Sequence, residues 1–382
     1  QAARNDHAIL ALALACSIDS SRAAALKAIP QVCRTGTHLF SFVKAVRGCR
    51  GMGRGLRHGI ANWYRDQPAE RLAYQLLKYR QRNGWTHRDV LRMAHPKPPT
   101  PAHHALFRYA VGAAPGARSV QRDNIARDYP EVSSLPDLVY AFQRLQSAAS
   151  DASVCVQLDA NPSLTWEMVP SQFLGSAKVW QSLLPNLPMT ALLRNLGRLT
   201  ANQALTPRTA STHQVCQRLI DRQALSSARV HPLALLVALQ TYQAGVSRGA
   251  LTWKPIPEVV EALNQAFYVA FDNVTASGKR TLLALDVSGS MCSPIATLSS
   301  MSCRVASVAM AMVTARSEPC YHIMAFCHHF VPLAVTPQQR LEEIARATSS
   351  LPFGGTDCAL PMLWALKNKV DIDTFVVYTD SE

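Results

Sequence analysis

The sequence is poor in charge for its size. Only 17% of its 382 residues are Asp, Glu, Lys or Arg, while 48% are hydrophobic. That composition excludes an intrinsically disordered chain and provides for a sizeable core. No apolar run approaches the roughly 18 residues of a membrane span, and no signal peptide is visible. Ten cysteines are present, but none forms a Cys-x-x-Cys pair. A zinc ribbon or thioredoxin-like site is therefore excluded, and reduced thiols are expected. Gly48-Cys-Arg-Gly-Met-Gly53-Arg54 approaches the spacing of a phosphate-binding loop, yet it lacks the Lys-Ser/Thr pair and a preceding strand. No Ser/His/Asp array or supported carboxylate pair is found, so nothing in the sequence argues for catalysis. Cys327-His328-His329 reads as a strand end, because adjacent side chains on a strand point to opposite faces. Cys358 reads as a small residue filling a tight turn.

Acidic residues are also scarce, 25 against 39 basic, for a net charge of +14. The imbalance is local. Residues 281–382 carry 6 Lys+Arg and 9 Asp+Glu, so the excess lies wholly before residue 281. A basic part beside a mildly acidic one fits either a polyanion partner or ordinary solvated helix faces.

The first 275 residues show apolar spacings of three and four almost throughout, as in Leu39, Phe40, Phe42, Val43 and Val46. Their breaks are short and rich in Pro, Gly and Asn, and no strand signal is read. Antiparallel helix pairs stacked as HEAT-like repeats are expected. After Gly278 the pattern alternates. Strands are expected at 281–286, 321–326, 330–335 and 374–379, and helices at 298–315, 337–349 and 358–369. That alternation predicts a Rossmann-like, mostly parallel sheet covered on both faces. Two domains are expected, 1–277 and 278–382, in a fragment of a longer protein.

Two stretches carry chemistry. The first is GKRTLLALDVSGSM, in which a buried strand ends in Asp286, Ser288 and Ser290. Such a loop suits a hard cation, for which oxygen ligands are preferred. It equally suits a turn and helix cap. Thr356 and the strand-terminal Asp380 follow. Asp-x-Ser-x-Ser, then Thr, then Asp, resembles the metal-ion-dependent adhesion site of von Willebrand factor A (vWA) domains. The resemblance implies Asp286, Ser288, Ser290, Thr356 and Asp380 as ligands of a divalent cation, Mg²⁺ foremost, in roughly the first half of a vWA domain. A partner protein's acidic side chain would complete the coordination shell.

The second stretch runs from Arg34 to Lys97, with 14 basic residues against Asp66, Glu70 and Asp89. Interleaved are His38, Phe40, His58, Trp63, Tyr64, Tyr74, Tyr79, Trp85, His87 and His95. Basic side chains neutralise phosphates and aromatic rings stack on unpaired bases, so nucleic-acid binding is favoured over a solvated face. A helix would put Lys78 and Arg82 on one face, with a break at Asn83-Gly84 before a second helix carrying Arg88, Arg92 and His95. The segments Lys78–Asp89 and Leu91–His95, with Met189–Gly197, Thr200-Ala-Asn202 and His231-Pro-Leu, resemble the TROVE module of the Ro ribonucleoprotein family, in which a vWA domain follows directly.

That resemblance implies a helical ring binding small non-coding Y RNAs outside and single-stranded 3′ ends of misfolded RNAs within. Lys78, Arg82 and His95 match positions implicated in Y RNA binding, although His95 also fits a helix cap before Pro96. Arg47, Arg50, Arg54, Arg57 and Arg194 are candidates for the hole. Asn195 and Asn202 are either contacts or buried structural amides. The expectation is a cytoplasmic (also nuclear, if eukaryotic), monomeric, non-enzymatic protein with no membrane partner and an exoribonuclease or other protein as a further partner. The alternative is a metal-dependent protein-interaction scaffold.

Overall fold

The computed structural model describes residues 5–112, 135–247, 249, 251–295, 298–333, 336, 339–349 and 356–380. Two compact units are present, Gln1–Leu187 and Pro188–Glu382.

The first unit is helical. It comprises α1 (Asp6–Ser17), α2 (Asp19–Val32), α3 (Gly36–Cys49), α4 (Arg54–Arg65), α5 (Ala69–Lys78), α6 (His87–Ala94), α7 (Pro101–Gly112), α8 (Asp137–Gln146), α9 (Asp151–Ala160) and α10 (Ala177–Leu183). Helices one to three places apart in sequence pack together: α1 lies on α2 and α3, α2 on α4, α5 on α7 and α8, and α9 on α10. Helix α3 shows why. Thr35 accepts a hydrogen bond from the His38 amide to start it, and Leu39, Phe40, Phe42, Val43 and Val46 are all buried along one stripe. Gly36 is fixed by packing, since a Cβ there would meet His87 Nε2 at 2.9 Å and Tyr79 Cβ at 3.0 Å.

Between α5 and α6 the expected helix is absent. Helix α5 stops at Lys78, and a hairpin follows: β1 (Gln81–Arg82) pairs antiparallel with β2 (Trp85–Thr86). Asn83 and Gly84 have φ of 54° and 79°, the positive pair that a two-residue hairpin turn requires. Lys78 and Arg82 therefore do not share a helix face. The hairpin passes directly into α6 through a capping box. The Thr86 hydroxyl accepts from the Asp89 amide at 3.3 Å, and the Asp89 carboxylate accepts from the Thr86 amide at 3.0 Å.

The second unit starts with α11 (Met189–Ala201), α12 (Ala210–Ile220), α13 (Arg222–Ser227), α14 (Pro232–Ala244) and α15 (Pro257–Val269). It continues with β3 (Thr281–Asp286), β4 (Pro294–Ile295), β5 (Leu298–Ser302), α16 (Cys303–Ser317), β6 (Tyr321–Phe326), β7 (Phe330–Pro332), α17 (Leu341–Ser349), α18 (Leu360–Asn368) and β8 (Thr374–Tyr378). The sheet order is β7-β6-β3-β8, with β3 parallel to β6 and β8 and β7 antiparallel at the edge. Central β3 is buried over its whole length, as a strand covered on both faces must be. The helices before the sheet are part of this unit: α14 packs on β5 and α16.

The expected helix at 298–315 begins late. Residues 298–302 form β5, paired antiparallel with β4, and Ser302 caps α16 by accepting from the Val305 amide. The serines ahead of it favour caps and turns over a helix interior. Helix α17 begins at Leu341, and Pro337 lies outside the described residues, as do Val335, Gly354 and Gly355.

Candidate functional site

In the first unit the structure gathers part of the basic set at the hairpin. Arg82 and Trp85 are directly opposed across β1 and β2, so their side chains lie on one face. The Arg47 guanidinium reaches from α3 and stacks 5.2 Å above the Trp85 ring. Asn83 Nδ2 donates to Ser41 Oγ at 3.1 Å, tying the turn to the same helix. Arg88 and Arg92 follow one helical turn apart on α6. Arg47, Arg82, Arg92 and His95 are exposed and Arg88 is half-buried. The backbone of His95 ends α6 in the left-handed region at φ 47°, its amide donating to the Leu91 carbonyl, while its side chain stays in solvent. Arg50 is directed elsewhere, donating to the Cys16 carbonyl at 2.6 Å. Arg54 and Arg57 are exposed on α4, and Arg194 is exposed in the second unit. Asn195 is buried and bonds the Ala191 carbonyl of its own helix, as a structural amide does.

Lys78 is not an open phosphate-binding cation. Its side chain is only 10% exposed. Nζ donates to the Tyr74 hydroxyl at 2.8 Å, lies 5.2 and 5.6 Å from the Tyr74 and Tyr79 ring centroids, and approaches Glu167 Oε1 at 3.9 Å. Burial works to lower its pKa, but the Tyr74 hydrogen bond and the Glu167 charge outweigh it and the net shift is upward.

The interleaved aromatics also divide. Phe40, Trp63, Tyr64 and His87 are core residues and cannot meet a base. Tyr74, Tyr79 and Trp85 remain half-buried, and His58 and His95 are exposed.

In the second unit the five oxygen-bearing residues come together at the carboxyl ends of β3 and β8. Asp286 is 1% exposed. Its Oδ1 accepts from the Ser288 amide at 2.7 Å, and its Oδ2 faces the Thr356 hydroxyl at 3.5 Å. Ser288 and Ser290 hydroxyls are 3.0 Å apart, and Ser290 Oγ donates to Asp380 Oδ1 at 3.0 Å. Parallel pairing of β3 with β8 is what puts residues so far apart in sequence side by side. Two further residues belong to the cluster without being evident from the sequence. Thr379 Oγ1 donates to Asp286 Oδ2 at 2.8 Å, and buried Arg304 donates to the Val287 and Ser288 carbonyls, bracing the loop from α16. A Thr beside the strand-terminal Asp was the available signal for the first. Nothing local signalled the second.

The donor set is two carboxylates and hydroxyls, all oxygen, which suits Mg²⁺ and not a soft metal. Among the described residues no group of three or more His, Cys, Asp or Glu side chains could hold a metal. Hydroxyls would thus have to supply most of the protein's share of any shell here.

A helical module joined to a parallel sheet whose strand ends gather this oxygen cluster defines the class, a helical-repeat protein carrying a vWA domain. The TROVE domain model matches residues 2–247 and the Ro60 vWA domain model residues 280–382. The whole chain is 39% identical to the RNA-binding protein RO60 of Deinococcus radiodurans and covers 70% of it. Over 94% of its length it is 35% identical to the RNA-binding protein RO60 of Caenorhabditis elegans, covering 62% of that protein, less than two thirds. The crystal structure of the Deinococcus radiodurans RO (RSR) protein superposes on all of it with a TM-score of 0.83 at 38% identity, the chain covering 75% of that structure. The chain belongs to the Ro60 family.

Proposed function

We propose that this chain binds RNA, without catalysis, through the basic surface around the β1–β2 hairpin. The observation that carries the reading is the arrangement of Arg47, Trp85 and Arg82. Two guanidinium groups for phosphates flank an indole, and all are held in place by a turn and a capped helix. The names of the two RO60 relatives support RNA as the polyanion. Family resemblance extends the reading to small Y-type RNAs and the single-stranded 3′ ends of misfolded RNAs, with Arg50, Arg54, Arg57 and Arg194 as candidates for the second. Replacing Arg47, Arg82 and Arg92 together by Gln is expected to weaken binding of a hairpin RNA about tenfold or more in a gel-shift titration, because three phosphates are no longer neutralised. Affinity equal to that of wild type would overturn the assignment.

A second reading rests on the oxygen cluster. Asp286, Ser288, Ser290, Thr356 and Asp380 would hold a divalent cation whose open position takes an acidic side chain of a protein partner, an exoribonuclease being one such candidate. The residues' own part is to present oxygen ligands from a buried, braced loop, with Thr379 and Arg304 keeping Asp286 and its loop in register. Magnesium that binds only the folded state raises its melting temperature. That rise is expected for wild type and should vanish in Asp286→Ala; an equal rise in both proteins would contradict the site.

A further inference from the structure

Lys78 has a setting unlike that of the exposed arginines around the hairpin. An ordinary phosphate-binding side chain is an exposed, mobile cation. Lys78 instead lies almost wholly covered at the end of α5, fixed by the Tyr74 hydroxyl and two aromatic faces. Among the described residues the acidic group that approaches it is Glu167, on the single turn at 166–168, with a side chain 31% exposed. Glu167 Oε1 at 3.9 Å is therefore the solvent-side counter-ion of a caged ammonium. The cleft of about 500 Å³ that Tyr74 also lines is acidic among the described residues, where Glu70 and Asp137 are its charged side chains.

We infer that Glu167 occupies the place of an RNA phosphate, holding Lys78 charged and oriented in the free protein, and that bound RNA displaces it. This rests on the RNA-binding reading above and deepens it by naming the residue that competes with RNA for the site. A carboxylate and a phosphate oxygen make the same charge-assisted hydrogen bond to an ammonium. A cage of two tyrosines keeps the ammonium from collapsing elsewhere once the carboxylate leaves, so little reorganisation is needed when the anions exchange. The exchange breaks the Lys78–Glu167 ion pair, and it therefore sets an upper limit on affinity that one substitution could lift.

The test is a double-mutant cycle on RNA affinity, read by gel shift with a hairpin RNA carrying a single-stranded 3′ tail. Glu167→Gln keeps the shape and removes the charge. It is expected to tighten binding about threefold to tenfold in the otherwise wild-type protein, and to have no effect in the Lys78→Gln background. Lys78→Met, which keeps the unbranched stem inside the cage, replaces Lys78→Gln if the latter does not fold. An equal gain with and without Lys78 would mean that Glu167 acts only through its long-range charge, and would overturn the inference while leaving RNA binding intact. Weaker or unchanged binding by Glu167→Gln alone would overturn it too. Wild-type protein that does not bind the RNA would overturn both this inference and the reading on which it rests.

Discussion

His87 sits in the middle of the basic stretch and is fully buried, its ring 4.7 Å from Phe40 and stacked on Trp63 at 6.1 Å, with Nδ1 2.9 Å from the Tyr64 hydroxyl. Burial pushes its pKa down to about 4, the nearby backbones of Gln75 and Tyr79 offsetting part of the effect. Between pH 6.5 and 4 the unfolded chain binds a proton at this residue and the folded chain does not, so stability falls as pH falls through that window. From pH 7 to 5 the expected loss is on the order of 2 kcal/mol. Urea midpoints at the two pH values should show it in wild type and a smaller change in His87→Gln. Equal changes in both would assign the pH dependence to other groups. The same residue shows the limit of reading by type. Aromatic and basic residues alternate in the sequence for two unrelated reasons, since Phe40, Trp63, Tyr64 and His87 fill the core while Trp85 stays at the surface. The alternation carries no label telling one from the other. At the oxygen cluster the five residues were legible through their order, Asp-x-Ser-x-Ser, then Thr, then Asp, whereas Arg304 reaches the loop only through the packing of α16.

At the level of elements, the hairpin decides how the basic residues are presented. Its strands are two residues long and have no period to detect, and Asn83-Gly84 serves a helix break as readily as a tight turn. The Asn-Gly pair was the available signal, and it was outweighed by helical patterns on both sides. The amphipathic helices, by contrast, follow the apolar spacing closely, because a stripe such as that of α3 admits only one buried face. A Cβ at Gly84 would have no atom within 4 Å, so Gly84→Ala is opposed only by its φ of 79°. That left-handed geometry costs an L-residue about 1–2 kcal/mol. The hairpin carries little of the core, so the expected result is RNA affinity lowered about fivefold or more with the melting temperature within a few degrees of wild type. A clear drop in melting temperature with unchanged affinity would make the hairpin a structural strap and not a binding element.

Across the whole molecule, composition puts the positive charge before residue 281, and the structure refines where in that part it can act. The five helices from Met189 to Val269 pack in the unit that holds the vWA sheet, so charge by sequence region and charge by compact unit are different divisions. Domain matches at 2–247 and 280–382 follow descent, while the units follow packing. The central claim is that the hairpin surface of the first unit binds RNA phosphates, and the salt dependence of affinity tests it most directly. For each phosphate that the protein ceases to neutralise, the slope of log K against log salt flattens by about 0.9 on a duplex and about 0.7 on a single strand. Wild type and the Arg47, Arg82, Arg92 triple-Gln variant should therefore differ in slope by roughly 2 to 3 on a hairpin RNA. Parallel lines, even with weaker binding by the variant, would contradict it.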